Sequence, residues 1–298
     1  MDDEGIKMTA RPLFLMTNPE HFEVVYQINP WMQPDAWRAD SAIRRTAAQA
    51  SAALRRGLQS AGCDVESLTA VEGLPDLVFP ANAAVVLDGR VLLARFRHSE
   101  RQGEESVFRA AFIALKQRGV VSEVVELPPG AIQEGAGDCI WDPNRGFFWA
   151  GHGQRSTRDS LLVIEKTFGR EVIALELATD RFYHLDTCFC PLAGGLVLYY
   201  PPAFTNATLA TIRSRLRPEQ RIEATDEEAA AMCVNAVNIG VYIVMAKAPE
   251  SLRHKLLALG FTMIEIDLAP FILSGGGAYC MTLRLDWKSN CCVAMNAA

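Results

Sequence analysis

The sequence predicts an α/β fold in which about five similar units close into a ring around a central cavity. Three observations support this prediction. A strand, strand, helix, strand pattern recurs with a period near fifty residues, and units of this size bury their apolar faces against their neighbours. One polar or reactive residue recurs in each unit, 45 to 53 positions apart. The first and last segments each hold only part of a unit.

The chain begins and ends with incomplete units. Residues 14–32 lack a hairpin of their own, and the helix that follows has an apolar stripe from Ile43 to Leu58 and ends near Gly62. The last copy of the pattern opens at Cys280, close to the C-terminus. The two terminal pieces are therefore expected to complete one unit together.

The first complete unit shows the full order of elements. Residues 83–94 form an apolar hairpin whose tight turn is an Asp-Gly pair. An amphipathic helix is predicted over residues 104–118, and Gly119 follows it in the position that favours a left-handed cap. A β-rich run over residues 120–127 ends the unit.

Three more units with the same order of elements follow. Two of their helices are followed by a glycine, at Gly169 and Gly260. In the second unit the hairpin, the helix and the final strand are predicted at residues 141–149, 161–168 and 172–177. In the third unit they are predicted around Gly194, at 209–216 and near Arg221. In the fourth unit they are predicted at 239–245, 252–259 and 261–266.

The composition favours one domain spanning residues 1–298. Half of the 298 residues are apolar, and no Pro/Ser-rich or low-complexity stretch divides the chain. The net charge of −6 argues against nucleic acid as a partner, because phosphate binding needs clustered basic residues. The acidic N-terminus and the lack of an apolar run of about 20 residues predict no membrane partner and a cytoplasmic location.

The eight cysteines are expected to be reduced thiols. Cys188 and Cys190 are too crowded to suggest a disulfide framework, as are Cys291 and Cys292, and a chain of this length needs no cross-links. A Cys-x-Cys pair without a matching partner cluster is weak evidence for zinc. We therefore expect no bound metal.

Rotation about the axis of the ring would bring equivalent positions of the units together at one end. These positions hold Asn82, Glu134, His184 and Cys280. Cysteine is a strong nucleophile, but only a few per cent of it is thiolate near neutral pH, so it needs a basic or cationic neighbour. His184 is the candidate neighbour, and Glu134 is the candidate carboxylate that fixes its tautomer. Asp138 is expected to hold its own loop by turn hydrogen bonds.

Three successive glycines precede Cys280 by a few residues. Gly275, Gly276 and Gly277 remove the side chains from one turn of backbone, so the sulfur lies where another molecule can approach closely. An alternating, strand-like run then extends from Cys280 to Leu285. A cysteine before an apolar run is by default a small buried hydrophobe, and the reactive residues at fixed spacing upstream favour a nucleophile instead.

Five short motifs occur in order along the chain. They are YQINPWM at 26–32, FPANA at 79–83, EGAGD at 134–138, HLDT at 184–187 and GGGAYC at 275–280. Together they resemble the guanidine-modifying superfamily, which contains arginine deiminases, dimethylarginine dimethylaminohydrolases, amidinotransferases and arginine dihydrolases. The resemblance runs from about residue 12 to residue 287 and implies a five-bladed α/β propeller, the pentein fold, around a central active-site cavity.

The resemblance implies a covalent mechanism. Cys280 would attack the guanidinium carbon, and water would hydrolyse the resulting amidino-thioether. His184 would protonate the leaving amine and activate the water, with Glu134 orienting His184. Asp186 would pair with the planar guanidinium, since a carboxylate accepts two N–H groups at once. This chemistry implies a small guanidino substrate and requires no cofactor.

The resemblance also implies residues that bind the tail of the substrate. Arg101 lies where the family carries an arginine for the substrate carboxylate, and Arg155 is a second candidate. Asn29 is a candidate ligand of the amino group. An isolated arginine is usually a solvated surface residue, so both arginine roles depend on the match.

Asn82 distinguishes among the activities of the superfamily. Many deiminases have an aspartate there, whereas a neutral amide gives up cation affinity but can hold a ureido group for a second attack. The leading hypothesis is an arginine dihydrolase, which converts arginine to ornithine, carbon dioxide and two ammonia molecules. The alternatives are a deiminase or dimethylarginine hydrolase that yields citrulline, and a non-catalytic propeller that binds a macromolecule. The sequence leaves open whether the chain forms a homo-oligomer.

Overall fold

The computed structural model describes residues 11–290. The acidic N-terminus and the adjacent cysteines Cys291 and Cys292 lie outside these described residues. Within them, fifteen strands form five sheets of three strands each. In this part of the chain, no helix is long and apolar enough to cross a membrane.

Short strands alternate with helices of very different length. The strands are β1 Leu13–Thr17, β2 Asp64–Leu68, β3 Ala84–Leu87, β4 Arg90–Leu93, β5 Glu123–Val125, β6 Cys139–Asp142, β7 Phe147–His152, β8 Val172–Glu176, β9 Phe189–Pro191, β10 Val197–Tyr199, β11 Arg221–Glu223, β12 Val237–Ile239, β13 Tyr242–Ala246, β14 Thr262–Ile266 and β15 Leu283–Arg284. The helices are α1 Pro34–Ala39, α2 Ile43–Ser60, α3 Ser99–Gln102, α4 Glu104–Gln117, α5 Ser160–Phe168, α6 Asn206–Arg215, α7 Asp226–Ala230, α8 Glu250–Ala258 and α9 Ala269–Ile272.

All five sheets have the same arrangement of strands. In each, the middle strand pairs antiparallel with one neighbour and parallel with the other. Four sheets use three consecutive strands, whereas the fifth has the order β15-β1-β2. The C-terminal strand therefore completes the sheet that the N-terminal strand begins, which confirms the predicted repeat and the predicted union of the two chain ends.

One long helix in each unit joins the two parallel strands, because a parallel pair needs a crossover connection. The helices α2, α4, α5, α6 and α8 occupy this position. Along α2 the apolar stripe faces the core, and Ala47, Leu54 and Leu58 are buried. Gly119, after helix α4, has a φ of 75°, which is the left-handed conformation that the sequence predicts there, and Gly169 caps helix α5 with a φ of 62°.

Some elements differ from the prediction. The strand expected over residues 120–127 is limited to β5, because only three residues of β4 pair with it. The short helices α1, α3, α7 and α9 were not predicted, since segments of four to six residues are too short to show a helical period.

The prediction of a strand that starts at Cys280 is wrong for the first residues of that stretch. The N–H of Thr282 donates to the carbonyl of Tyr279 at 2.9 Å, so Cys280 lies in a turn. Strand pairing begins only at Leu283. Cys280 therefore precedes the last strand instead of beginning it.

The glycines before Cys280 make room for neighbouring groups. Gly275 has a φ of 86°, which side chains rarely adopt. A Cβ on Gly276 would lie 2.2 Å from Cε1 of Phe79, and a Cβ on Gly277 would lie 2.8 Å from Oδ1 of Asn235. Groups of the protein itself therefore approach these glycines, and the close approach of another molecule to the sulfur stays a prediction.

Gly276→Ala is expected to lower the free energy of unfolding by about 1 to 3 kcal/mol, measured by denaturant titration. The added methyl group must displace the buried Phe79 ring, which packs edge-on against Phe22 and Phe271. Gly62→Ala is the control, because nothing lies within 4 Å of its Cβ and only its positive φ opposes the change. That strain costs about 1 kcal/mol. No loss of stability in Gly276→Ala would contradict the packing argument.

Candidate active site

Residues from different units surround one small buried cavity of about 10 Å³. Its walls are formed by Ile28, Asn29, Asp76, Phe79, Asn82, Arg101, Arg155, Tyr183, Ser274 and Cys280. A wider outer cavity shares four of these residues, Ile28, Asn29, Arg155 and Tyr183. These four residues therefore lie between the buried cavity and the outer one.

Cys280 lies in the wall of this cavity with 2% of its surface exposed. Its Sγ is 3.1 Å from Oδ2 of Asp186 and 3.1 Å from Nδ2 of Asn235. Its backbone N–H donates to Oδ1 of Asn235 at 3.1 Å. Burial, and after it the charge of Asp186, raises the pKa of the thiol well above its usual value. At neutral pH the sulfur is therefore protonated and donates to Asp186.

Asp186 has one carboxylate oxygen in use and one without a partner. Oδ2 accepts from Cys280, while Oδ1 is buried and has no hydrogen-bond partner among the described residues. Burial raises the pKa of Asp186 to about 7. A buried polar atom without a partner is costly, so Oδ1 is suited to accept an N–H group from a bound planar cation.

His184 and Glu134 form the pair that the sequence predicts. Nε2 of His184 is 2.7 Å from Oε2 of Glu134, and Nδ1 is 3.4 Å from Nδ2 of Asn82. Because the carboxylate accepts and the amide donates, we assign the proton of the neutral ring to Nε2. The expected activating contact between His184 and Cys280 is not formed within residues 11–290, where the ring faces a carboxylate and an amide instead.

Glu134 is fully buried among donors. It accepts the backbone N–H of Arg97 at 3.0 Å and Nη1 of Arg155 at 3.2 Å. Burial alone would raise its pKa, but the hydrogen bond from His184 and the charge of Arg155 outweigh burial and hold the pKa below its usual range. An ionised Glu134 orients the His184 ring and stabilises it when it is protonated.

Arg101 is 3% exposed and not solvated. Its Nε and Nη2 donate to the two carboxylate oxygens of Glu104 at 2.9 and 2.8 Å. Nη2 also donates to the carbonyl of Asp76 at 3.2 Å, and Nη1 donates to Oδ1 of Asn82 at 2.8 Å. Four of its five N–H groups thus have acceptors within the protein. Its role as a ligand of the substrate carboxylate stays a prediction.

Arg155 and Asn29 also lie in the cavity wall. Arg155 donates to Glu134 and to the carbonyl of Ile28 at 3.0 Å, and its guanidinium carbon lies 4.6 Å from the centre of the Tyr183 ring. The amide of Asn29 bonds to two backbone groups at 3.1 and 2.9 Å. Both side chains line the cavity, and their contacts with a substrate stay predictions.

Sequence reasoning missed two functional candidates. Asp76 is a buried carboxylate in the wall, where it accepts from the hydroxyls of Tyr26 at 2.9 Å and Ser274 at 3.2 Å. The available signal was an acid within an otherwise apolar run. Nδ2 of Asn235 contacts the sulfur of Cys280, and Oδ1 of Asn235 accepts the backbone N–H of Cys280. Its periodic spacing was noticed, but no role was assigned to it.

The prediction that Asp138 holds its own loop is wrong for its carboxylate. One oxygen accepts from the hydroxyl of Ser156 at 2.6 Å, and the other accepts the backbone N–H of Leu185 at 3.1 Å. Leu185 lies between His184 and Asp186 in the next unit. Asp138 therefore helps to position the segment that carries these two residues.

Residues 18–286 match the family model described as N,N dimethylarginine dimethylhydrolase, eukaryotic. Over 278 residues the chain is 42% identical to the bifunctional arginine dihydrolase/ornithine cyclodeaminase AgrE of Nostoc sp.. The matched region covers 93% of this chain but 38% of that protein. It therefore spans about two fifths of the length of AgrE. Over 273 residues it is 32% identical to the N(G),N(G)-dimethylarginine dimethylaminohydrolase of Mycobacterium tuberculosis, covering 91% and 85%.

One solved structure has nearly the same extent as this chain. It is the product-bound N-terminal domain of ArgZ, an arginine dihydrolase from the ornithine-ammonia cycle in cyanobacteria. The two structures match with a TM-score of 0.88 at 40% identity, over 94% of this chain and 99% of that domain. The similarity thus extends over the whole candidate site and its supporting sheets.

Five sheets of the same topology, a buried cysteine and a His–Glu pair are the features that the resemblance to the guanidine-modifying superfamily implies. The match over residues 18–286 confirms the resemblance that the five motifs indicate. The chain belongs to the dimethylarginine dimethylaminohydrolase family of this superfamily.

Proposed function

We propose that this chain is an arginine dihydrolase, which converts L-arginine to L-ornithine, carbon dioxide and two ammonia molecules through a covalent intermediate on Cys280. One observation carries the proposal: Oδ1 of Asp186 is buried without a partner among the described residues while Oδ2 contacts the sulfur of Cys280, and the neutral Asn82 lines the same cavity as Cys280. A guanidinium fits the carboxylate, and a ureido group fits the amide. The similarity to two arginine dihydrolases supports the same activity.

The fold that this function requires is a closed five-bladed α/β propeller formed by one domain. The identical topology of the five sheets supports closure, as does the sheet that joins the two chain ends. Hydrogen bonds between residues of different units, such as Asn82 with His184 and Asp186 with Cys280, support a common axis. Each blade would contribute its marker residue to one end of that axis.

The guanidinium of arginine would lie against Asp186, with two N–H groups facing the two carboxylate oxygens. Its positive charge would lower the pKa of both Asp186 and Cys280. Substrate binding would therefore generate the thiolate that the protein alone disfavours.

The polar groups at the mouth of the cavity would hold the tail of the substrate. The guanidinium of Arg155 and the remaining N–H of Arg101 are the cationic groups available for its carboxylate. Asp76 and Asn29 offer oxygen acceptors to its ammonium group. Fixing both ends of the substrate would place its guanidinium carbon at the sulfur.

In the first hydrolysis Nδ1 of His184 takes up the proton that the thiol gives up, and the thiolate attacks the guanidinium carbon. Ammonia then leaves as Nδ1 donates this proton to it. Nδ1 of His184 is available to carry this proton, because Nε2 faces Glu134. A water molecule then gives a proton to the same nitrogen and attacks the amidino-thioether carbon. The C–S bond breaks, which releases the thiolate and leaves citrulline in the site.

In the second hydrolysis Cys280 attacks the ureido carbon and a second ammonia leaves. Water then releases a carbamate, which decomposes to ornithine and carbon dioxide. The ureido group carries no charge, so its retention depends on hydrogen bonds instead of on the attraction of Asp186. The Asn82 amide can both donate and accept, which suits a group that does both.

The alternative is a single hydrolysis that gives citrulline, from arginine or from dimethylarginine. The family model and the mycobacterial relative, both described by dimethylarginine hydrolysis, favour this alternative. It uses the same Cys280, His184 and Glu134. With arginine as the substrate, the two proposals differ only in whether the ureido product leaves before a second attack.

Product stoichiometry tests the proposal. Purified protein with L-arginine is expected to release two ammonia molecules per ornithine, with little free citrulline. One ammonia per citrulline would exclude the second step and support the single hydrolysis. Lack of turnover of arginine would exclude both arginine reactions, and dimethylarginine and agmatine would then be assayed as substrates.

A further inference from the structure

Glu104 does not line the cavity, but it holds a residue that does. It is 1% exposed, and its two carboxylate oxygens accept from Nε and Nη2 of Arg101 at 2.9 and 2.8 Å. A two-point contact between a carboxylate and a guanidinium fixes both the position and the plane of the guanidinium. Arg101 is thereby held with Nη1 facing Asn82.

Arg101 in turn fixes the amide of Asn82. Nη1 donates to Oδ1 at 2.8 Å, and because a guanidinium has no acceptor, the oxygen of the amide must face it. Nδ2 then points the other way, where the carbonyl of Glu134 lies at 3.3 Å and Nδ1 of His184 at 3.4 Å. The direction of the amide therefore determines which group His184 faces.

The reverse orientation of the Asn82 amide is unfavourable at both ends. It would place Nδ2 against the Arg101 donor and Oδ1 against the carbonyl oxygen of Glu134. The amide also has little room to move, because a Cβ on Gly137 would lie 2.2 Å from Nδ2. Only one direction of the amide satisfies its surroundings while Arg101 stays in place.

We infer that Glu104 is a positioning residue that sets the direction of the Asn82 amide through Arg101, and that it thereby determines whether the ureido intermediate is retained for the second hydrolysis. The inference rests on the proposed dihydrolase function and deepens it. Without the Glu104 carboxylate, the buried charge of Arg101 loses its two-point partner. The nearest other carboxylate is Asp76, whose Oδ2 is 4.0 Å from Nε, and a turn toward it withdraws Nη1 from Asn82.

The test compares Glu104→Gln with wild type, using both products and substrate consumption as readouts. The ratio of citrulline to ornithine is expected to rise about tenfold, the effect of one lost hydrogen bond to the retained intermediate. Arginine consumption is expected to fall by less than that, because Cys280 and Asp186 are unchanged. Glu66→Gln is the matched control, since Glu66 forms an equivalent two-point pair with Arg118 on the surface.

A general structural defect gives a different result. If Glu104→Gln slows both hydrolyses equally and leaves the product ratio unchanged, the inference is overturned. If this variant does not fold, Glu104→Asp replaces it, because that change keeps the charge and shortens the side chain by one carbon. A smaller rise in the citrulline ratio is then expected, and a ratio equal to that of wild type overturns the inference.

A second readout separates this inference from the proposed function. If wild type releases only citrulline, the proposed dihydrolase activity is disproved. The direction of the Asn82 side-chain amide can still be followed by NMR of protein labelled with ¹⁵N-histidine and ¹⁵N-asparagine. The Asn82 side-chain signal and the His184 Nδ1 signal are expected to shift in Glu104→Gln but not in Glu66→Gln. Unchanged signals would show that Glu104 does not position the amide and would overturn the inference.

Discussion

Replacing Cys280 with serine is expected to lower kcat for arginine by about 10⁴-fold or more while the protein remains folded. Asp186 and Asn235 contact the sulfur and would accept or donate to a hydroxyl in the same way. A hydroxyl, however, ionises far less readily than a thiol, and a bound cation cannot make up the difference. Ammonia release measures the activity, and thermal unfolding checks the fold.

Cys233→Ser is the control for this substitution. Cys233 is equally buried, and its Sγ already donates to the carbonyls of Ala231 and Lys247 at 3.7 and 3.5 Å, so a hydroxyl is tolerated there. This variant is expected to keep full activity. A Cys280→Ser protein with more than about a hundredth of wild-type kcat would contradict covalent catalysis by this residue.

A cationic alkylating agent provides an independent test of the reactivity of the Cys280 thiol. A haloacetamidine is expected to label Cys280 faster than a neutral haloacetamide does, because its amidinium can pair with Asp186 and lower the pKa of the thiol. Asp186 lies 3.1 Å from the sulfur, so the two reagents differ only in the charge that they bring to this carboxylate.

Replacing Asn82 with aspartate is expected to stop the reaction at citrulline, with ornithine falling at least about tenfold relative to citrulline. A carboxylate cannot donate to the Glu134 carbonyl or to Nδ1 of His184, both of which face Nδ2 of Asn82. It also adds a negative charge to the cavity of Asp186, which favours the cationic substrate over the neutral ureido group. Chromatography of the products measures the ratio.

Two further assays complete this prediction. Supplied directly, citrulline is expected to be hydrolysed by wild type and not by Asn82→Asp. Asn206→Asp is the control, because Asn206 is exposed at the start of helix α6, where an acid is well tolerated, and it is expected to leave both products unchanged. Two ammonia molecules per arginine from Asn82→Asp would contradict the proposed role of the amide.

Several site residues were predictable because their positions repeat with the fold. Asn82, Glu134, His184 and Cys280 were expected at one place from their spacing, and the cavity and its hydrogen bonds bring them together. The spacing is informative because each unit repeats the same pattern of burial. The partners of the sulfur were not predictable in this way, since they depend on which way each side chain turns.

Arg101 shows the limit of sequence reasoning most clearly. Alone in the sequence it resembles a surface residue, and only the family resemblance suggests a function. In the fold it is buried, and Glu104, three residues later, takes up two of its donors. The short helix α3 and the start of α4 create this contact, and neither boundary is marked by a strong pattern.

By itself, the sequence determined the five-unit repeat, the union of the two chain ends and the residue types at the reactive positions, because burial and turn formation leave a periodic record along the chain. Only the tertiary structure decided that Cys280 contacts Asn235 and Asp186, which are 45 and 94 positions away. Such contacts depend on the packing of one unit against another and on the direction of each side chain. Periodicity contains no information on either.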